Sequence, residues 1–129
     1  MCGVVGVDAE SDTVMPASPL PLLVRDGGEV SPVPLETVMC LLWDELGDVP
    51  CVEQPVQPGD RLIFYTDGIT DRQGPDGAMY DPERLTAMLA KVGARSPAEV
   101  VELLVADFDV FAGGHEPDDD QTVLIVGVG

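Results

Sequence analysis

The sequence predicts an α+β domain: a mainly antiparallel β-sheet, one half of a sandwich, with two helices packed on it. Three observations carry this. Arg61–Thr66 and Thr122–Val128 are apolar, β-branched runs of strand length. Between them, Pro82–Val92 and Pro97–Phe111 repeat apolar residues at helical spacing. A proline- and glycine-punctuated stretch precedes them all. With 129 residues, of which 45% are hydrophobic, the chain reads as one domain, 1–129, able to bury a core.

Taken in order, Leu20–Arg25 and Glu29–Val33 are predicted as two short strands joined at Asp26-Gly27-Gly28. The apolar run Met39–Trp43 is too short to be assigned by its period. Cys51–Val56 is expected to be a strand, with Gln57-Pro58-Gly59-Asp60 as a tight turn into Arg61–Thr66, which is apolar enough for a sheet interior. Asp67–Gly77, dense in Gly and Asp, is expected to be a loop with little to bury. Asp81 is a helix cap with Pro82 at the first helical position, and Leu85, Met88, Leu89 and Val92 form the buried stripe until Gly93 stops it. Ser96-Pro97-Ala98-Glu99 is a capping box. The helix it opens carries the stripe Val100, Val101, Leu104, Val105, Phe108 and Phe111 and ends at Gly113-Gly114.

Charge limits the partners. Twenty-four Asp and Glu against six Lys and Arg give a net charge of -18, which repels phosphate backbones and anionic lipid surfaces, so neither nucleic acid nor a membrane is expected as a partner. No apolar run approaches the ~20 residues that span a bilayer. Cys2, Cys40 and Cys51 fit neither a zinc pattern nor a disulfide framework, and Met1–Asp8 lacks the basic start of a signal peptide; a cytoplasmic protein with reduced thiols is the expectation.

Two groups of carboxylates occupy matching places. Asp67 follows the end of Arg61–Thr66, and Asp118-Asp119-Asp120 precede the start of Thr122–Val128. If those strands are antiparallel neighbours, both groups reach one edge of the sheet, where they would form a hard-oxygen site suited to magnesium or manganese. Each group alone is an ordinary feature: Asp-Gly is a common turn dipeptide, and an aspartate run usually faces solvent. His115, the one histidine, is read as an exposed loop residue, and Trp43, Phe64, Phe108 and Phe111 as packing.

The segments Pro58-Gly59-Asp60-Arg61-Leu62-Ile63-Phe64-Tyr65-Thr66-Asp67-Gly68-Ile69-Thr70-Asp71, Ser96-Pro97-Ala98-Glu99-Val100-Val101 and Asp118-Asp119-Asp120-Gln121-Thr122-Val123-Leu124-Ile125-Val126, in this order and spacing, resemble the C-terminal half of the SpoIIE-type (RsbU-like) phosphatases. These are a bacterial branch of the metal-dependent PPM protein serine/threonine phosphatases. The similarity is best over 58–128 and extends more loosely to the hairpin from Leu20. It implies that Asp67 and Asp119 are metal ligands, with Gly68, Asp120 and Thr122 beside them. It implies also two Mg or Mn ions whose bound water attacks a phosphoserine or phosphothreonine. The implied substrate is a phosphorylated regulatory protein of partner-switching signalling, an anti-sigma factor antagonist.

The resemblance leaves parts of the family pattern unmatched. The bridging aspartate has no counterpart: Asp8 is the one early candidate and its surroundings differ, and Ala17-Ser18-Pro19-Leu20-Pro21 stands where the family has a Gly-His-Pro segment. The chain is therefore expected to resemble half a domain, with weak metal binding and little turnover alone. The competing expectation is a non-catalytic pseudophosphatase or interaction module without a complete metal centre. A third is an acidic protein that binds divalent ions without catalysis.

Overall fold

The computed structural model describes residues 19–34, 53–92 and 95–129. Along the chain these form β1 (Leu22–Val24), β2 (Val30–Pro32), β3 (Arg61–Tyr65), α1 (Asp67–Thr70), α2 (Pro82–Val92), α3 (Pro97–Ala112) and β4 (Val123–Gly127). The strands make one antiparallel sheet in the order β2-β1-β3-β4. Asp8, Met39–Trp43, Gly93 and the three cysteines lie outside the described residues.

The two central strands, β1 and β3, are the most buried. Successive side chains of β1 and β3 point to opposite faces. Leu22, Val24, Ile63 and Tyr65 join Leu85, Leu89, Val92, Val100, Leu104 and Phe108 of the helices in the main core. Leu23, Leu62, Val33 and Phe64 make a smaller cluster on the other face. The register Leu62↔Val126 and Phe64↔Leu124 places Leu124 on that second face, where it is 57% exposed. The helices thus cover one face, as the sequence predicts.

Local chemistry explains most element boundaries. The Asp60 amide donates to the Gln57 carbonyl at 3.0 Å across a turn with Pro58 at its second position and Gly59, at φ +96°, at its third. That is the type II geometry Pro-Gly favours. The capping box forms as the sequence indicates: the Ser96 hydroxyl accepts from the Glu99 amide, and the Ser96 amide donates to Glu99 Oε2 at 3.0 Å. Gly113 ends α3 in the left-handed conformation, φ +55°.

Three expectations require correction. Residues 53–56 of the predicted strand Cys51–Val56 belong to no strand, and β3 instead bonds to β1 and β4. Pro55 lies within this stretch and Pro58 just after it, and a proline has no amide to give a ladder. Second, the predicted loop Asp67–Gly77 begins with a helical turn. Ile69 drives it, being buried in the main core, and Thr70 and Arg72 are buried as well. Third, the buried stripe of α3 is narrower than predicted. Val100, Leu104, Phe108 and Ala112 recur every fourth residue, while Val105 is exposed and Val101 and Phe111 are half-buried.

Candidate functional site

Antiparallel pairing of β3 with β4 puts the last residue of one opposite the first of the other, Tyr65↔Val123. The chain segments that continue from those ends therefore emerge at one edge of the sheet. Beyond Tyr65 comes Thr66-Asp67-Gly68; before Val123 comes Asp118-Asp119-Asp120-Gln121-Thr122.

The two segments touch along their backbones. The Thr66 amide donates to the Thr122 carbonyl at 3.1 Å, and the Thr122 amide donates back to Thr66 Oγ1 at 3.1 Å. Thr66 Oγ1 donates to the Asp120 carbonyl at 3.3 Å, and Gln121 Nε2 donates to the Gly68 carbonyl at 3.1 Å. At Gly68 the approach is so close that a β-carbon would stand 2.2 Å from the Asp120 carbonyl oxygen and 3.6 Å from the Asp119 carbonyl carbon. Only glycine admits this packing. The predicted residues Asp67, Gly68, Asp119, Asp120 and Thr122 thus share one edge.

Asp67 is fixed from behind. Its carbonyl accepts from the Asp71 amide at 2.8 Å and from Thr70 Oγ1 at 3.2 Å, so the exposed Asp67 stands on a closed helical turn. Asp119 is exposed too, and its Oδ1 accepts from the Asp120 amide at 2.7 Å. Two exposed carboxylates on abutting backbone supply hard oxygen donors, which suits the open edge of a magnesium or manganese site. Among the described residues, no three His, Cys, Asp or Glu side chains converge to hold a metal ion, so a closed site needs donors beyond these.

Sequence reasoning missed three supports. Thr66 and Gln121 bind backbone across the junction. Arg72, inside the predicted loop, is 8% exposed and its Nη2 donates to the His115 carbonyl at 2.5 Å. For Thr66 the position before Asp67 was a usable signal. For Arg72 nothing local distinguishes a buried arginine from a solvated one.

Away from this edge the strongest electrostatics are structural. Asp60 is buried; the Gln57 amide at 2.8 Å and the Arg25 guanidinium at 2.6 Å hold its carboxyl below the ordinary range, outweighing the opposing effect of burial. Tyr80 is fully buried, its hydroxyl donating to Asp107 Oδ2. Burial first, then the Asp107 carboxylate, pushes the phenol well above its usual value. His115 is exposed, as the sequence predicts.

Comparison with known proteins agrees with this fold. The family model of Stage II sporulation protein E (SpoIIE) matches residues 4–129. The SiaA-PP2C domain of Pseudomonas aeruginosa superposes with a TM-score of 0.67 at 26% identity, over 85% of this chain and 43% of that one. The phosphatase domain of the cell fate determinant SpoIIE from Bacillus subtilis, in its manganese-presoaked form, gives a TM-score of 0.62 at 23% identity, over 86% and 47%. This chain spans less than half the length of either. No curated protein matches the sequence. With nearly its whole length matched and its sheet and helices superposing on two phosphatase domains, the chain belongs to the SpoIIE family of PP2C-type phosphatases.

Proposed function

We propose that the chain contributes one edge of a metal-dependent phosphoprotein phosphatase centre, in which Asp67 and Asp119 ligate Mg2+ or Mn2+. The observation that supports this most is the backbone contact at Gly68, which brings the two aspartate segments together at the ends of β3 and β4. Asp120 and Thr122 shape the same edge. A divalent cation held there would lower the pKa of water and offset the charge of phosphoryl oxygens. The substrate in this reading is a phosphorylated regulatory protein in the cytoplasm, of the anti-sigma factor antagonist kind used in partner switching.

A second reading is favoured by one observation: among the described residues no third ligand joins the two aspartates. On that reading the chain is a non-catalytic interaction module. Magnesium keeps most of its waters unless several carboxylates or a phosphate replace them, so two aspartates would hold it weakly.

Manganese binding and manganese-dependent hydrolysis of a phosphoserine protein, each compared with Asp67→Asn, test both readings. Weak binding abolished by Asp67→Asn, with little turnover by the chain alone, is expected. Robust turnover lost in Asp67→Asn would make the chain a complete enzyme and overturn the partial centre. Binding unchanged in Asp67→Asn would remove the metal role altogether.

A further inference from the structure

Arg72 is an anomaly in a chain with 24 acidic residues. Its side chain is buried, yet no carboxylate pairs with it among the described residues. Arg25 and Arg84, by contrast, bond Asp60 and Asp107. Among the described residues its Nε and Nη1 have no hydrogen-bond partner, and its one acceptor there is the neutral carbonyl of His115. Burying a guanidinium with a single neutral acceptor is costly, and such an unsatisfied group calls for an explanation.

The position of the bond supplies one. The backbone of Arg72 is locked to the Asp67 turn: its amide donates to the Ile69 carbonyl at 3.3 Å, and its carbonyl accepts from the Tyr80 amide at 2.8 Å. His115 lies just past the end of α3, where its amide donates to the Ala112 carbonyl at 2.9 Å. A positive charge brought to a helix C-terminus is favourable, and the last turn of α3 carries no basic residue of its own. The bond thus joins the turn that holds Asp67 to the first residues of the acidic loop.

We infer that Arg72 is a positioning residue: by holding the His115 carbonyl it anchors the start of the acidic loop and so fixes Asp119 beside Asp67. The inference rests on the metal reading above only for what Asp119 does once held. The far end of the loop is already tied, at Asp120 by Thr66 and at Gln121 by the Gly68 carbonyl. With His115 anchored, only residues 116–119 lie between the ties. Without it the start of the loop is held only by the His115 amide bond to the Ala112 carbonyl, and a span held at fewer points costs more entropy to order.

Hydrogen exchange of the whole chain without metal, paired with a manganese titration, tests this on Arg72→Gln and Arg72→Lys. In Arg72→Gln the amides of 115–121 should exchange faster while those of β3 and α3 keep their rates, and manganese affinity should fall about tenfold, at the low end for groups that orient metal ligands. Arg72→Lys keeps the charge and one donor and should restore most of the loop protection; it also carries the test if Arg72→Gln does not fold. Unchanged exchange in 115–121 would overturn the inference. So would acceleration spread equally through β3 and α3, or a lysine variant as loose as glutamine. If the unaltered chain binds no manganese, the metal reading falls by itself, and the anchoring stands or falls on the exchange rates.

Discussion

Gly68 packs against the Asp120 carbonyl with no room for a side chain: a β-carbon there would come within 2.2 Å of that oxygen. The atom in the way is backbone, so it cannot swing aside as a side-chain tip could. Gly68→Ala must therefore push the acidic loop off the Asp67 turn, breaking the Gln121 bond to the Gly68 carbonyl. We expect a loss of about 1–3 kcal/mol in a denaturant titration, together with faster exchange of the Asp120 and Gln121 amides. A fully stable Gly68→Ala variant with a protected loop would show that the two segments are not in contact.

Asp60 makes stability depend on acid. Its carboxyl is held below the ordinary carboxylate range by the Gln57 amide and Arg25. A carboxylate with a depressed folded pKa stabilises the fold above its unfolded value, and that contribution is lost as pH falls through the folded value. The urea midpoint should therefore drop on acidification below about pH 4. Asp60→Asn should lower the midpoint at neutral pH and flatten this dependence, because the neutral amide has no charge to lose. An equally steep acid dependence in Asp60→Asn would assign it to other carboxylates, of which Glu99 and Asp107 are also held low.

How far the sequence reveals the structure follows from the range of each interaction. The capping box at Ser96, the Pro-Gly turn at 58–59 and the hairpin at 26–28 are local, so adjacent residues encode them. The meeting of Asp67 with the Asp119 segment is long-range, but the antiparallel β3–β4 pair makes it readable from the two strand ends. What the sequence hides is burial decided by distant neighbours. Ile69 turns an apparent Asp-Gly loop into a helical turn because the core has space for it. Arg72 looks like a surface residue until His115 is placed above it. The unpaired stretch at 53–56 is hidden for a related reason: the Pro-Gly turn after it suits a hairpin, but β1 occupies the edge of β3 that such a strand would need.

Tyr80, Asp107 and Arg84 tie α2 and the segment before it to α3. The Tyr80 hydroxyl and the Arg84 Nε and Nη2 donate to the Asp107 carboxylate, and the Arg84 guanidinium lies 4.7 Å from the centre of the Phe111 ring. Tyr80→Phe removes one donor and leaves Asp107 with Arg84, so a loss of about 1 kcal/mol is expected. Asp107→Ala leaves a buried hydroxyl without its acceptor and should cost about 2–3 kcal/mol. Chemical denaturation of the two variants checks the order; an equal cost for both would mean the buried hydroxyl is satisfied by another group.

Asp81 precedes α2 with φ at +57°, in the left-handed region that few side chains tolerate. It nevertheless caps the helix: Oδ1 accepts from the Arg84 amide at 2.8 Å, and its own amide donates to the Thr70 carbonyl at 3.0 Å. Two separate effects therefore act at one position, and three substitutions separate them. Asp81→Asn keeps a capping oxygen and a residue type that accepts this conformation, so it should stay within about 0.5 kcal/mol of the unaltered chain. Asp81→Gly loses the capping oxygen but relieves the backbone and should cost about 0.5–1 kcal/mol. Asp81→Ala loses the cap and keeps the strain, so its cost should reach about 2–3 kcal/mol. The ranking Asn, Gly, Ala in thermal midpoint is the measurement. Ala matching Gly would show that the left-handed backbone at Asp81 carries no strain, and Asn falling with Ala would show that the aspartate charge, and not its oxygen, starts α2.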